Sequence, residues 1–218
     1  MVVSEFLWEK GYSSVDWLVV SHADADHSQG LTDIVRNFSV GEIIIGAAPA
    51  ADSEMAELLS LADSRSVPVR RLAKGDRYEI SGVTMDVLWP ASTQAMGSDN
   101  NSSLVLRFLF GDRSFLFTGD IEKEAEAEIL ASGVLLRSDV VKVPHHGSRT
   151  SSTPEFVNAI SPKLAVIPVG RRSMFGHPHI EVLERWSAVA ADVITTGSKG
   201  TVTAISDGSD LTTTTFRL

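Results

Sequence analysis

Apolar and polar positions alternate along this chain with two different periods, and the change of period divides it into segments. Val3, Phe6 and Leu7 recur at helical spacing and the run stops at Gly11, so Val2 to Gly11 predicts a helix. Val15 to Val20 is a short apolar strand, a helix is expected from about Gly30 to Phe38, and Glu42 to Ile45 is a second strand. An alanine- and leucine-rich helix from about Asp52 to Ser64 completes a βαβα rhythm. From Val67 the pattern becomes a meander: Val67–Arg71, Arg77–Ile80, Val83–Trp89, Leu104–Phe110 and Ser114–Thr118 are β-rich runs separated by Gly, Asp and Ser turns. Helix and strand alternate again from Glu122 to about Ala191. The tail, 192–196, 200–205 and 211–217, is β-rich with a turn at Asp207-Gly208.

The chain has 218 residues, 43% of them hydrophobic, enough to bury a full core, and no repeat, low-complexity tract or linker divides it. A single domain over 1–218 is expected. Lys and Arg number 19 against 28 Asp and Glu, a net charge of −9, so unspecific adhesion to nucleic acid or anionic membrane is not expected and any phosphate contact must be local. There is no cysteine, which removes disulfides, thiolate metal sites and cysteine nucleophiles and leaves imidazole and carboxylate as the strong metal ligands. No apolar run approaches the roughly 20 residues that span a bilayer, and the N-terminus lacks a basic region followed by an apolar core, so a soluble domain is expected.

Against that background Ser21-His22-Ala23-Asp24-Ala25-Asp26-His27 stands out. Two imidazoles and two carboxylates fall on the turn between an apolar strand and a helix, which can aim His22 and Asp24 one way and Asp26 and His27 the other, as two adjacent divalent ions would need. The plainer reading is a solvated helix cap, for which one acidic residue would suffice. Phe115 to Asp120 is an apolar strand ending in Gly and an acid. Asp120 could bridge two metals or cap a helix over Ile121–Leu130. Val140 to Pro144 runs into His145-His146-Gly147-Ser148. On an extended chain the two imidazoles point to opposite sides, so one is a ligand candidate and the other a neighbouring or substrate group. Gly176-His177-Pro178-His179 follows Arg171-Arg172 in what reads as a surface turn. All six histidines of the chain lie in these three places.

The succession His22-Ala-Asp24-Ala-Asp26-His27, Asn100-Asn-Ser-Ser103-Leu-Val-Leu, Thr118-Gly-Asp120, Pro144-His145-His146-Gly-Ser148 and Gly176-His177-Pro178 resembles the metallo-β-lactamase superfamily. Its nearest likeness there is the C-terminal hydrolase domain of ComEC-type DNA internalisation proteins. The resemblance runs from about residue 2 to the end, including Thr195-Thr-Gly-Ser-Lys-Gly-Thr-Val. It implies an α/β (α+β) fold, a four-layer αββα sandwich with a two-metal site at one edge. By motif, His22 and Asp24 would hold one metal and Asp26 and His27 the other, with Asp120 bridging and His146 as the last histidine ligand.

Three departures bear on what the resemblance implies. Asp24 stands where the commonest motif has histidine. No histidine lies between His27 and His145, so Asn100 or water would fill the place of the histidine ligand usual there. The first strands and Asp-rich turn of the family domain are not found, so one sheet is expected to have an open edge through which the chain could self-associate. With three carboxylates, three imidazoles and no sulfur, the two divalent ions are expected to be manganese or zinc. The implied activity is two-metal phosphodiester hydrolysis by a nuclease acting on DNA, one strand of which is degraded during uptake. Asp26 and Asp120 would be catalytic, His145 or His177 would donate a proton to the leaving alkoxide, and Asn100, Ser103, Ser148, Arg149, Arg171 and Arg172 would contact substrate. The alternatives are another phosphodiesterase or esterase, or a silent metal- or DNA-binding module. The parent proteins are embedded in the cell membrane as part of a channel, with this domain outside it.

Overall fold

In the computed structural model, residues 2–47, 53–91 and 98–217 are described. In chain order the elements are α1 (Val2–Glu9), β1 (Ser14–Val20), α2 (Ala25–Ser28), α3 (Leu31–Asn37), β2 (Ser39–Gly46), α4 (Ser53–Ser64), β3 (Val69–Leu72), β4 (Arg77–Ile80), β5 (Val83–Trp89), β6 (Val105–Phe110) and β7 (Arg113–Phe117). There follow α5 (Lys123–Ala131), β8 (Val140–Lys142), α6 (Pro154–Ile160), β9 (Leu164–Ile167), α7 (Ile180–Ala188), β10 (Asp192–Thr195), α8 (Thr196–Lys199), β11 (Thr201–Ser206) and β12 (Leu211–Phe216). The predicted start of the fourth helix at Asp52 lies outside the described residues.

Strands β1, β2 and β3 form a parallel sheet in that order, with Leu18 opposite Ile43 and Ile43 opposite Val69. Its side chains sort by the two-residue period of a strand. Leu18, Val20, Ile43 and Ile45 pack with Ile34, Val35, Phe38, Leu58 and Ala62 under the helices. Ile44 and Leu72, with Trp17 against them, face Met85, Val87, Leu104 and Leu106 of the second sheet. The run Ile43-Ile44-Ile45 lacks polar alternation because this strand is covered on both faces.

The second sheet runs β10-β9-β8-β7-β6-β5-β4, antiparallel from β4 to β7 and parallel from β7 to β10. Its outer face carries Leu116, Val141, Val143, Ala165 and Ile167 against Ile121, Ile129, Phe156, Val157, Ile160, Val182 and Trp186 of the helical side. The layers are therefore helix, sheet, sheet, helix, as the resemblance implied. The hairpin β11-β12 is a separate two-stranded sheet whose Val202, Ala204 and Leu211 cover Val140, Leu164 and Ile194 on the inner face of the second sheet.

One element departs from the expected order. The run beginning at Val67 is not the first strand of the meander, because β3 pairs parallel to β2 after the α4 crossover and only β4 to β7 form the meander. A β-rich run of four residues looks the same in either sheet, and the covering helix decides which it joins. The expected open edge is present. Strand β1 has a partner on one side only among the described residues, and half-exposed Phe117 and Val19 line a cleft of about 380 Å³ beside it together with Leu104, Leu106, Phe108 and Lys142.

Candidate metal centre

The strand ends of both sheets bring three distant segments together. After Val20 the chain turns sharply into α2. Asp24 occupies the position before that helix but makes no capping hydrogen bond, which leaves its carboxylate free for another use. Asp120 is not a cap either, since α5 begins at Lys123 with Glu122 before it. Gly119 at φ 55° makes the turn after β7, and a Cβ there would lie 2.5 Å from the Ser103 Cβ, so this position tolerates only glycine.

The pair His145 and His146 diverges for a different reason than the extended chain predicted. Both residues adopt left-handed backbone, at φ 46° and 52°, an uncommon conformation for residues with a Cβ. His146 turns inward: its Nδ1–H donates to the Pro168 carbonyl at 2.6 Å, which directs Nε2 at the cluster. His145 turns away, with Nδ1 3.4 Å from a Glu122 carboxylate oxygen and 3.3 Å from the Thr150 hydroxyl. Gly147 at φ 80° locks this turn to the next loop, because a Cβ there would lie 2.6 Å from the Pro178 Cβ.

Around one point stand Asp120, His27 and His146. Asp120 Oδ2 is 3.1 Å from His146 Nε2 and 3.3 Å from His27 Nε2, and those two nitrogens are 3.2 Å apart. Asp26 Oδ2 is 3.3 Å from His146 Nε2 and 3.8 Å from His27 Nε2, while Asp24 Oδ2 is 3.6 Å from His22 Nε2. Two groups of ligand atoms lie within 4.8 Å of one another: His22, His27 and Asp120, and Asp26, His27 and His146. His27 belongs to both groups.

The electrostatics suit cations. Burial, then His27, lowers His22 to about 4, so its ring is neutral. Its Nδ1 meets the Ser21 hydroxyl at 3.0 Å, and its buried Nε2 has no hydrogen-bond partner. Asp24 is raised, first by burial and then by Asp26 and Asp99. Burial alone would raise Asp120 too, but His146, His27 and Lys142 outweigh it and hold this carboxyl far below the usual range. His146 is raised by its bond to Asp120. An orphaned buried nitrogen, crowded carboxylates and an all nitrogen and oxygen donor set fit divalent metal ions.

The remaining predicted residues separate into groups. Asn100 has a buried Oδ1 without a partner. Ser103 is fully buried and its hydroxyl accepts from the Asp120 backbone N–H at 2.9 Å, and Ser148 is buried with its hydroxyl against Thr150 at 3.0 Å. Both hydroxyls are enclosed by the chain and engaged there. Arg149 is exposed with Nε 3.6 Å from Glu181, and Arg171 and Arg172 are exposed on the loop after β9. His177 reaches His145 across that loop, ring centroids 5.7 Å apart, and is lowered by burial and then by His145 and His179.

The sequence reading missed Lys142. Its Nζ donates to Asp120 Oδ1 at 2.6 Å and to the Gly119 carbonyl, so one carboxylate oxygen is fixed by ammonium and the other is left to the imidazoles. The signal was a single charge inside the apolar run Val140-Val141-Lys142-Val143. Glu122, oriented on His145, carried no signal beyond its place in an acidic helix start.

A profile of the Metallo-beta-lactamase superfamily matches residues 4–171. ComE operon protein 3 of Bacillus subtilis (strain 168) is 33% identical over 201 residues, which are 92% of this chain and 26% of that protein. Competence protein ComA of Neisseria gonorrhoeae is 32% identical over 191 residues, 87% of this chain and 25% of the relative. The chain thus spans about a quarter of the length of these curated relatives. Among solved structures, the metallo-beta-lactamase fold protein YhfI from Bacillus subtilis matches with a TM-score of 0.55 at 11% identity, covering 89% of this chain and 80% of that one, a likeness of fold alone. The profile covers most of the chain and the layers agree with it, so this chain belongs to the metallo-beta-lactamase superfamily, with competence proteins among its relatives.

Proposed function

We propose that this domain is a metal-dependent nuclease that cleaves phosphodiester bonds of single-stranded DNA during uptake, as one part of a larger competence protein of the cell membrane, on the outer side of that membrane. The observation that carries the reading is the convergence of His22, Asp24, Asp26, His27, Asp120 and His146 at one end of the sandwich, beside a loop bearing the exposed Arg171 and Arg172. Two divalent ions, manganese or zinc, would be held there by these six side chains, with the buried Asn100 oxygen or water in place of the histidine missing between His27 and His145. When bound, such ions supply an activated water and charge for a phosphoryl oxygen.

The chain's own groups do the rest. Asp120, clamped by Lys142 and by the Ser103 hydroxyl on its backbone, keeps Oδ2 facing the histidines. Asp26 shares the space around His146 and His27. His177, lowered by burial and neighbouring imidazoles, suits a hydrogen bond to substrate. His145, whose ring is oriented by Glu122 and Thr150, or His177 would donate a proton to the leaving alkoxide. Arg171 and Arg172, with the exposed Arg149, would hold phosphates locally on an otherwise acidic surface.

Metal analysis coupled to cleavage of single- and double-stranded DNA with manganese, zinc and magnesium in turn tests this. Cleavage that needs metal, stops with chelator and disappears in Asp26→Asn is the expected result. Hydrolysis of small esters alone, or DNA binding without turnover, overturns the nuclease reading.

A further inference from the structure

The loop from Pro168 to His179 carries two large apolar side chains that the fold does not use. Met174 is 94% exposed and Phe175 is 76% exposed, the most exposed large hydrophobic side chains among the described residues. Both line a cleft of about 340 Å³ that is also lined by Asp26 and His146, the candidate metal ligands, and by His177. The Phe175 ring lies 5.9 Å from the His177 ring at an interplanar angle of 32°, and His177 is in turn 5.1 Å from His179. Leaving a phenyl ring in water forgoes the burial that holds the rest of the core together. On the same loop stand Arg171 and Arg172, while the neighbouring Arg149 is engaged with Glu181.

A flat apolar face and a carboxylate-imidazole cluster within one cleft, with two exposed guanidinium groups on the loop that walls it, match the parts of a nucleotide: base, scissile phosphate and backbone phosphate. Base stacking on an aromatic ring tolerates any base, but the base must be free of its own stack, so the arrangement selects single strands over duplex.

From this arrangement we infer that Phe175, flanked by Met174, is a stacking platform for a nucleobase next to the cleaved phosphate, and so a specificity residue for single-stranded nucleic acid. The inference rests on the nuclease reading for its choice of substrate, but its test does not need cleavage. Binding of a fluorescent oligothymidylate and of an abasic oligomer with the same phosphates is measured by anisotropy in chelator, for the wild type, Phe175→Ala and Phe175→Trp. Stacking on one ring is worth roughly 1–3 kcal/mol per base. The wild type should therefore bind oligothymidylate about tenfold more tightly than the abasic strand. Phe175→Ala should lose that preference with the salt dependence unchanged, and Phe175→Trp should restore it. A Phe175→Ala variant that keeps the preference for bases overturns the platform, even if the protein cleaves DNA. A base preference that depends on Phe175 in a protein that cleaves no DNA sustains the platform and removes the nuclease reading instead.

Discussion

Replacing Lys142 with Met tests how the Asp120 carboxylate is held. Asp120 has 4% of its side chain exposed, and its Oδ1 is paired with the Lys142 ammonium at 2.6 Å, itself 17% exposed. Removing one partner of a buried ion pair costs about 3–5 kcal/mol, because the other charge stays behind without compensation. Here Oδ2 keeps His27 and His146 at 3.3 and 3.1 Å, and Lys142 keeps some water, so the cost falls to the bottom of that range or below it, about 2–3 kcal/mol. For a chain of this size each kcal/mol moves Tm by about 2–4 °C, so the chelator-treated variant should melt roughly 4–12 °C below the wild type. Two further measurements separate the ion pair from lost packing. Saturating manganese should narrow the gap, since bound dications compensate the same carboxylate. The double variant Asp120→Asn with Lys142→Met should be more stable than the sum of the single losses predicts, because no orphaned charge remains. Urea or thermal melts with chelator and with metal give all four corners of the cycle. Additive losses that ignore metal would refute the idea that Lys142 acts through Asp120.

Other expectations follow from the same geometry. His146→Ala should lower metal content, whereas His145→Ala should keep more metal and slow turnover, as read by metal analysis beside kinetics; equal metal loss in both would reverse the assignment of the pair. Replacing both Arg171 and Arg172 with Ala should raise KM for DNA and flatten its salt dependence, and an unchanged salt slope would make them plain solvated charges. Burial would raise the Asp139 carboxyl, but Lys163 at 2.9 Å and the Ser114 N–H at 3.0 Å outweigh it and hold it below its usual 3.8. A carboxyl depressed in the folded state contributes stability that is present above about pH 4 and lost as pH falls through its lowered value. Asp139→Asn should therefore lower stability at pH 7 and shrink the acid limb in melts between pH 7 and pH 3, and an acid limb as steep as the wild type's would exclude that role. The one-sided edge of β1, with Val19 and Phe117 beside it, should promote self-association that light scattering detects and that a Val19→Lys substitution suppresses; a monomer at high concentration would count against it.

Local chemistry determined the parts that could be read in order along the chain. The period of the apolar positions located the helix and strand runs, and the density of His and Asp at 22–27, with Asp120 and His145-His146 at strand ends, singled out the site before any fold was known, because ligand types and turns are local properties. Partnership is not local. Whether 69–72 joins the meander or lies parallel to β2 depends on the α4 crossover. Likewise, Ser103 and Ser148 sit in motifs that look ready for substrate, yet burial commits their hydroxyls to Asp120 and Thr150. Only tertiary structure could place Lys142 on Asp120, give His27 to both ligand groups, and turn His145 toward Glu122 through two left-handed residues. Each of those outcomes depends on distances between side chains far apart in sequence, which packing of the two sheets sets and the order of residues does not record.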